Sequence, residues 1–180
     1  MKKNELEDSL NKIFSNSGYK MVDVSDKNIT HRKALATGEI VLGAEVIKLI
    51  KEKKMPKGDP LSIAEVSGIN GVKKTSELIP LCHPLPLDHI SLHTEVNDKK
   101  NSIIVYCLVS ANSKTGVEME ALSGVSSALL AIYDLSKIVE PNLKISNTKL
   151  LVKSGGKKGL WINPDGIPDK IKNILKIWND

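Results

Sequence analysis

A chain of 180 residues fits one domain with a substantial core, and 41% apolar with 26% charged residues excludes a disordered or fibrous protein. A formal charge of +5 favours anionic partners, but only 3% aromatics leaves little for base stacking and argues against nucleic acid. Two cysteines predict no disulfide framework, the opening MKKNELEDSL lacks a secretory signal's apolar run, no stretch predicts a membrane span, and a cytoplasmic protein is the expectation.

Residues 5–14 predict a short amphipathic helix through Leu6, Leu10, Ile13 and Phe14, broken at 16–18. Residues 21–24 and 34–42 read as strands, the second ending at Gly43. Residues 44–54 have a helical period, with Val46, Ile47 and Ile50 on one side and lysines on the other. A Pro/Gly loop at 55–60 follows, in which Asp59 is placed to cap a helix that starts with Pro60. Gly68 and Gly71 then punctuate short helical pieces up to Leu78.

Residues 88–96 and 102–111 predict strands joined by a turn at 97–101. A long helix covers 114–137 and a last strand 143–152. Residues 160–180 predict a Pro/Gly-rich link and a helix from Pro168 to about Trp178, docked by Ile171, Ile174, Leu175 and Trp178. From about residue 34 the order is strand, helices, strand, strand, helix, strand. That is the split βαβ pattern of a ferredoxin-like α+β fold, a two-layer sandwich with an antiparallel sheet and extra helices in the first crossover.

On the long helix Glu120, Ser123, Gly124, Ser127, Ala131 and Asp134 share one stripe. Leu122, Val125, Leu129 and Ile132 form the roughly opposite, core-facing one. The small residues of the first stripe predict close approach by a ligand or a second chain. A carboxylate stands near each of its ends, with Lys137 one turn beyond Asp134. The helix dipole alone accounts for Glu118 and Glu120 as well as catalysis does. Asp134 and Lys137 would ordinarily be a weak exposed pair. A carboxylate buried in the stripe, however, would have a shifted pKa and could exchange protons.

Prolines at 80, 84 and 86 hold Cys82 and His83 of LIPLCHPLPL in an extended segment. As a rigid connector it would need only one satisfied histidine; the functional reading makes His83 a proton carrier or phosphate donor. No CxxC spacing is present, and no metal ligand set is assigned. Lys57, Lys73 and Lys74 lie near glycines and suit anion binding, yet residues 68–76 lack phosphate-loop spacing. The glycine-bracketed run Lys153-Ser-Gly-Gly-Lys157-Lys158-Gly159 suits a mobile loop as well as a phosphate cradle.

Six motifs occur in order between about residues 20 and 159: Met-Val-Asp-Val-Ser at 21–25, Lys57-Gly58-Asp59, Ile79-Pro-Leu-Cys-His-Pro84, Lys114-Thr-Gly-Val-Glu-Met-Glu-Ala-Leu122, Tyr133-Asp134 and Lys153-Ser-Gly-Gly-Lys157. In these the chain resembles the MoaC family of molybdenum cofactor biosynthesis. Leu135-Ser136 and Ser127-Ala128-Leu129 depart from the family's pattern in ways that read as repacking. His31-Arg32-Lys33 stands where the family is commonly arginine-rich, so His31 takes no role from it.

The resemblance implies a single catalytic domain over 1–159, with 1–19 mobile or peripheral, and a C-terminal extension over 160–180. It implies a homohexamer built as a trimer of dimers, with the site at a dimer interface. It also implies a lyase that converts a 3′,8-cyclised dihydro-GTP, supplied by a radical SAM GTP cyclase, to cyclic pyranopterin monophosphate with loss of pyrophosphate. By matching position, Asp134 is the general acid/base, with Lys57 and Lys137 as catalytic neighbours. Leu81, Cys82, His83, Met119 and Glu120 line the substrate pocket, and Glu118 and Lys153 are further site candidates. No cofactor is implied; Mg²⁺ would accompany the substrate's triphosphate. The alternative is a noncatalytic carrier module for the intermediate, which would keep the pocket and tolerate loss of Asp134 or Lys137. A nucleic-acid-binding domain would put lysines on its sheet, and the strands 88–96 and 102–111 contain none.

Overall fold

In the computed structural model, which describes residues 8–10, 12–14, 18–169 and 171–172, the elements run β1 (Thr30–Val41), α1 (Ala44–Lys51), α2 (Pro60–Lys73), α3 (Thr75–Leu78), β2 (His89–Asn97), β3 (Ser102–Ser113), α4 (Glu118–Ser136), β4 (Lys144–Ser154) and β5 (Trp161–Ile162). They form one antiparallel sheet in the order β2-β3-β1-β4-β5. The split βαβ expectation holds: β3 lies between β1 and β2, the helices of the first crossover precede β2, and β5 adds a short edge strand beside β4.

Alternation along the strands sorts their side chains into two layers. Ala34, Ala36 and Ile40 of β1 and Val105, Cys107 and Val109 of β3 face Ala121, Val125, Leu129 and Ile132 of α4 in the main core. Leu129 is fully buried there, and truncating it to alanine would cost about 2–5 kcal/mol. The other face carries a smaller cluster of Leu35, Tyr106, Leu151 and Val152 beneath Ile167 and Ile171. On that face Glu39 is buried but satisfied, accepting from Ser102 Oγ at 2.6 Å and Asn147 Nδ2 at 3.1 Å, with Lys100 Nζ at 3.7 Å. Burial pushes its carboxyl up, yet these three partners together hold it below the ordinary range.

The chain starts and stops its helices as their residues dictate. Val46, Ile47 and Ile50 bury the inner side of α1 while its lysines stay outside. Asp59 caps α2 by accepting the Leu61 N–H at 3.0 Å, and Pro60 occupies the first turn.

Three expectations are corrected. Residues 21–24 form no ladder and run as an irregular segment into a turn at 25–27. β1 starts at Thr30, ahead of the expected residue 34, and takes in His31, Arg32 and Lys33. Gly68 and Gly71 do not punctuate helices; α2 passes through both without a break.

The reason lies in α4. A Cβ on Gly71 would sit 2.9 Å from the Ser123 carbonyl and 2.6 Å from Ser127 Cβ; one on Gly124 would sit 2.6 Å from Cys107 Sγ and from Val72 Cγ2. The small-residue stripe of α4 is therefore filled in its middle by α2 of the same chain, not kept open for a ligand. Two helices approach this closely only where both present small residues.

The N-terminal helix expected over 5–14 is seen at residues 8–10 and 12–14, where Leu10, Ile13 and Phe14 are exposed; Leu6 lies outside the described residues. Of the expected C-terminal helix, residues 169, 171 and 172 are helical and Ile171 is buried, while Ile174, Leu175 and Trp178 lie outside the described residues.

Candidate active site

The β3–α4 turn and the first turn of α4 form the wall between two adjoining cavities. The first, about 450 Å³, is bounded by the start of β1, the Lys114-Thr115-Gly116 turn and the loop 153–159. Seven cationic side chains line it, Lys27, Arg32, Lys33, Lys114, Lys153, Lys157 and Lys158, against two carboxylates, Asp26 and Glu118. That excess selects a polyanion. The second, about 400 Å³, is lined by Val22, Val24, Leu81, Cys82, His83, Leu85, Met119 and Glu120. Lys27, Thr115, Gly116 and Glu118 line both, so the two are lobes of one cleft.

Local chemistry shapes each wall. Lys153 Nζ donates to Glu118 Oε1 at 2.8 Å, fastening the end of β4 to the start of α4. Lys114 Nζ donates to the Ser25 carbonyl at 2.7 Å, which holds residues 22–27 over the cleft. Arg32 donates from Nε to Ser113 O at 3.4 Å and from Nη2 to Lys114 O at 3.3 Å. Its guanidinium occupies the space that a side chain on Gly156 would fill; Gly155 and Gly156 both have positive φ, as a tight glycine turn around it requires.

Glu120 is 5% exposed. Burial pushes its carboxyl up, and the neighbouring charge of Glu118 adds to the shift. It can therefore carry a proton at a higher pH than a free glutamate. Burial likewise raises the Cys82 thiol, with the charge of Glu120 contributing, so that thiol is a poor nucleophile as it stands. The segment that carries Cys82 and His83 turns back through the Cys82 N–H, which donates to Ile79 O at 2.9 Å.

The third group stands elsewhere. Asp134 receives Lys137 Nζ on Oδ1 at 2.7 Å and Lys57 Nζ on Oδ2 at 3.1 Å. Lys57 Nζ also reaches the Asp134 carbonyl at 3.3 Å. Lys137 and Lys57 hold the Asp134 carboxyl below the usual carboxylate range, and Asp134 in turn raises Lys137. The expected buried carboxylate is thus half exposed and doubly ion-paired. From Glu120 to Asp134 is 14 positions, or about 21 Å along the helix axis. The two ends of the stripe share a side of α4, but α2 crosses between them.

The structure thus brings Leu81, Cys82, His83, Glu118, Met119 and Glu120 together around the second lobe, joins Lys153 to them through Glu118, and sets Asp134, Lys57 and Lys137 apart. Lys27, Arg32, Lys33, Lys114 and Thr115 are cleft residues that the sequence reading did not single out. Lys114-Thr-Gly directly ahead of a helix start is the signal that could have marked two of them. His89 and His93, four apart on β2, lie about 13 Å from one another at strand rise and do not converge. Among the described residues no three His, Cys, Asp or Glu side chains gather to hold a metal, and no helix is long and apolar enough to cross a membrane.

Residues 21–156 match the MoaC family. A cyclic pyranopterin monophosphate synthase of Chloroflexus aurantiacus is 45% identical over 145 residues, covering 81% of this chain and 89% of that protein. One of Thermomicrobium roseum is 42% identical over 146 residues, 81% and 88% of the two chains. A molybdenum cofactor biosynthesis bifunctional protein of Synechococcus elongatus is 44% identical over 149 residues, which cover 83% of this chain and 47% of that longer protein.

Proposed function

Because the chain belongs to the MoaC family, we infer that it is a cyclic pyranopterin monophosphate synthase, a lyase of molybdenum cofactor biosynthesis acting on a small-molecule substrate. The reaction takes (8S)-3′,8-cyclo-7,8-dihydroguanosine 5′-triphosphate to cyclic pyranopterin monophosphate and pyrophosphate. A radical SAM GTP cyclase would supply that substrate, and a cytoplasmic setting suits it.

The observation that carries this reading is the two-lobed cleft, in which a strongly cationic lobe adjoins one with a raised carboxyl, an imidazole and apolar walls. The triphosphate would occupy the first lobe, with Lys153, Lys114 and Arg32 among its partners and Mg²⁺ accompanying it. The purine-derived ring would lie against Leu81, Cys82, His83 and Met119 with Glu118 and Glu120 at its polar edge. Attack of a ribose hydroxyl on the innermost phosphorus breaks the bond to the outer two phosphates, and charge grows on the departing pyrophosphate. The lysines neutralise it where it develops.

Ring opening and reclosure require protons to be moved. Asp134, ionised between two ammonium groups, would accept a proton, and Lys57 or Lys137 would return one. Since this group stands about 21 Å from Glu120 along α4, we propose that a second copy of the chain brings its own Asp134, Lys57 and Lys137 to the cleft. That completes the site at a dimer interface, within a homohexamer arranged as a trimer of dimers.

The test is to incubate the protein with the 3′,8-cyclised GTP and assay cyclic pyranopterin monophosphate and pyrophosphate. Both products in equal amounts support the synthase. Tight binding without turnover would replace it with the carrier module.

A further inference from the structure

Lys153 reaches the cleft because β4 breaks its own alternation. Opposite β1, Leu150 faces Ala36 and Val152 faces Leu35, so Leu151 is an extra residue, a β-bulge. Leu150 packs against the main core, whereas Leu151 and Val152 both bury on the other face with Tyr106 and Leu35. Two successive residues on one face return the next, Lys153, to the side of its partner Ala34, from which it meets Glu118 at 2.8 Å. In a regular strand continuing from Leu150, Lys153 would point to the opposite face, because one residue of slip inverts every side chain beyond it.

Something must hold that bulge, since its extra residue leaves backbone groups outside the β1 ladder. Asn163, just past β5, does so. Its main-chain N–H donates to Leu151 O at 2.8 Å and its side-chain Nδ2 to Leu150 O at 2.8 Å. Its remaining groups are fixed in turn: Oδ1 accepts the Asp165 N–H at 2.9 Å and its carbonyl accepts the Gly166 N–H at 3.0 Å. Asn163 is thus hydrogen-bonded through its main-chain N–H and C=O and through both ends of its side-chain amide. The pairs Val152 with Ile162 and Lys153 with Trp161 continue the grip along β4. Asn163 lies beyond residues 21–156, the stretch that matches the family.

We propose that Asn163 is a positioning residue for Lys153: by holding the Leu151 bulge it keeps β4 in the register that aims Lys153 into the cationic lobe. The inference rests on the reading of Lys153 as a phosphate-binding group and adds to it where the aim of that group comes from.

A double-mutant cycle on the full chain tests it, with Asn163→Ala and Lys153→Ala read by calorimetric titration with pyrophosphate. Each single variant should weaken binding roughly tenfold, as losing one charged contact of about 1.4 kcal/mol would. The double variant should bind no worse than Lys153→Ala alone, because Asn163 acts through Lys153. In turnover, Asn163→Ala should raise KM and leave kcat within about twofold, the mark of lost ground-state binding. Additive losses in the cycle, or an Asn163→Ala variant that binds like the parent, overturn the proposal, as does a parent that does not bind pyrophosphate. Asn163→Ser carries the same cycle if the alanine variant does not fold. A parent that binds pyrophosphate but forms no pyranopterin would remove the synthase reading while the cycle still decides the role of Asn163.

Discussion

The two ends of α4 carry the same kind of group in opposite surroundings. At the start Glu120 is buried, the charge of Glu118 adds to the effect of that burial, and its acid is weakened. Near the end Asp134 is open to solvent between two lysines, and its acid is strengthened. On acidification Glu120 takes up its proton before Asp134 does, so the two ends of the helix differ in how readily they hold a proton. The ends also differ in completeness. The first faces a cleft walled by residues of its own chain, while the second stands half exposed between its two lysines. A single chain therefore holds the cleft and the Asp134 group apart, and α2, packed on the small-residue stripe, lies between them.

The sharpest break of that comparison is Asp134→Asn. Turnover should fall by about a hundredfold to ten-thousandfold, the range for losing a general acid/base, with pyrophosphate affinity unchanged in titration. Comparable turnover would leave the far end of α4 without a chemical role. Mixing follows from it: Asp134→Asn co-expressed with His83→Ala should turn over faster than either variant alone, since one copy of each supplies an intact half. No recovery would argue that each chain works by itself.

Smaller effects sharpen the picture. Lys153→Ala should raise KM by roughly tenfold with a lesser change in kcat, as one lost charged contact predicts; an unchanged KM removes it from the phosphate lobe. Gly71→Ala presses a methyl onto the Ser123 carbonyl of the facing helix. It should destabilise by about 1–3 kcal/mol, and calorimetry should show Tm falling by about 2–4 °C per kcal/mol. Least in size is Glu120→Gln. A raised acid means that the folded state holds its proton more tightly, so the parent loses stability as pH climbs from the ordinary glutamate range up through the raised folded value. The variant should melt above the parent at neutral pH and level with it below about pH 4; equal melting at both would deny the burial cost.

Much of this was legible in residue order. Alternation and period place the four long strands and the core face of α4, because Val125, Leu129 and Ile132 have no alternative to burial. The motifs around His83 and Glu120 converge on one lobe as expected. What misled was the stripe of α4. Small residues say that something approaches closely but not what, and Gly68 and Gly71, which suggest breaks between helical pieces, are the matching half. Nor could spacing show that Leu151 is a bulge, which decides the side on which Lys153 emerges, since that depends on the partner strand. Nor does spacing give Arg32 a role, since its side chain donates to backbone carbonyls 81 and 82 positions away.

The place of β1 in the sheet governs how the molecule can be made. Among the described residues it is the earliest strand, yet it lies in the interior, hydrogen-bonded to β3 on one side and β4 on the other. Leu35 waits for Leu108 and then for Val152, 117 positions later. Contacts of such separation must pay loop-closure entropy before they return any stability, so folding is slow relative to helical chains of this length. During synthesis β1 emerges with two bare edges, and its second partner is absent until residues 144–154 have been translated. A polypeptide halted before residue 144 would expose the apolar edge of the central strand, a template for pairing with other chains.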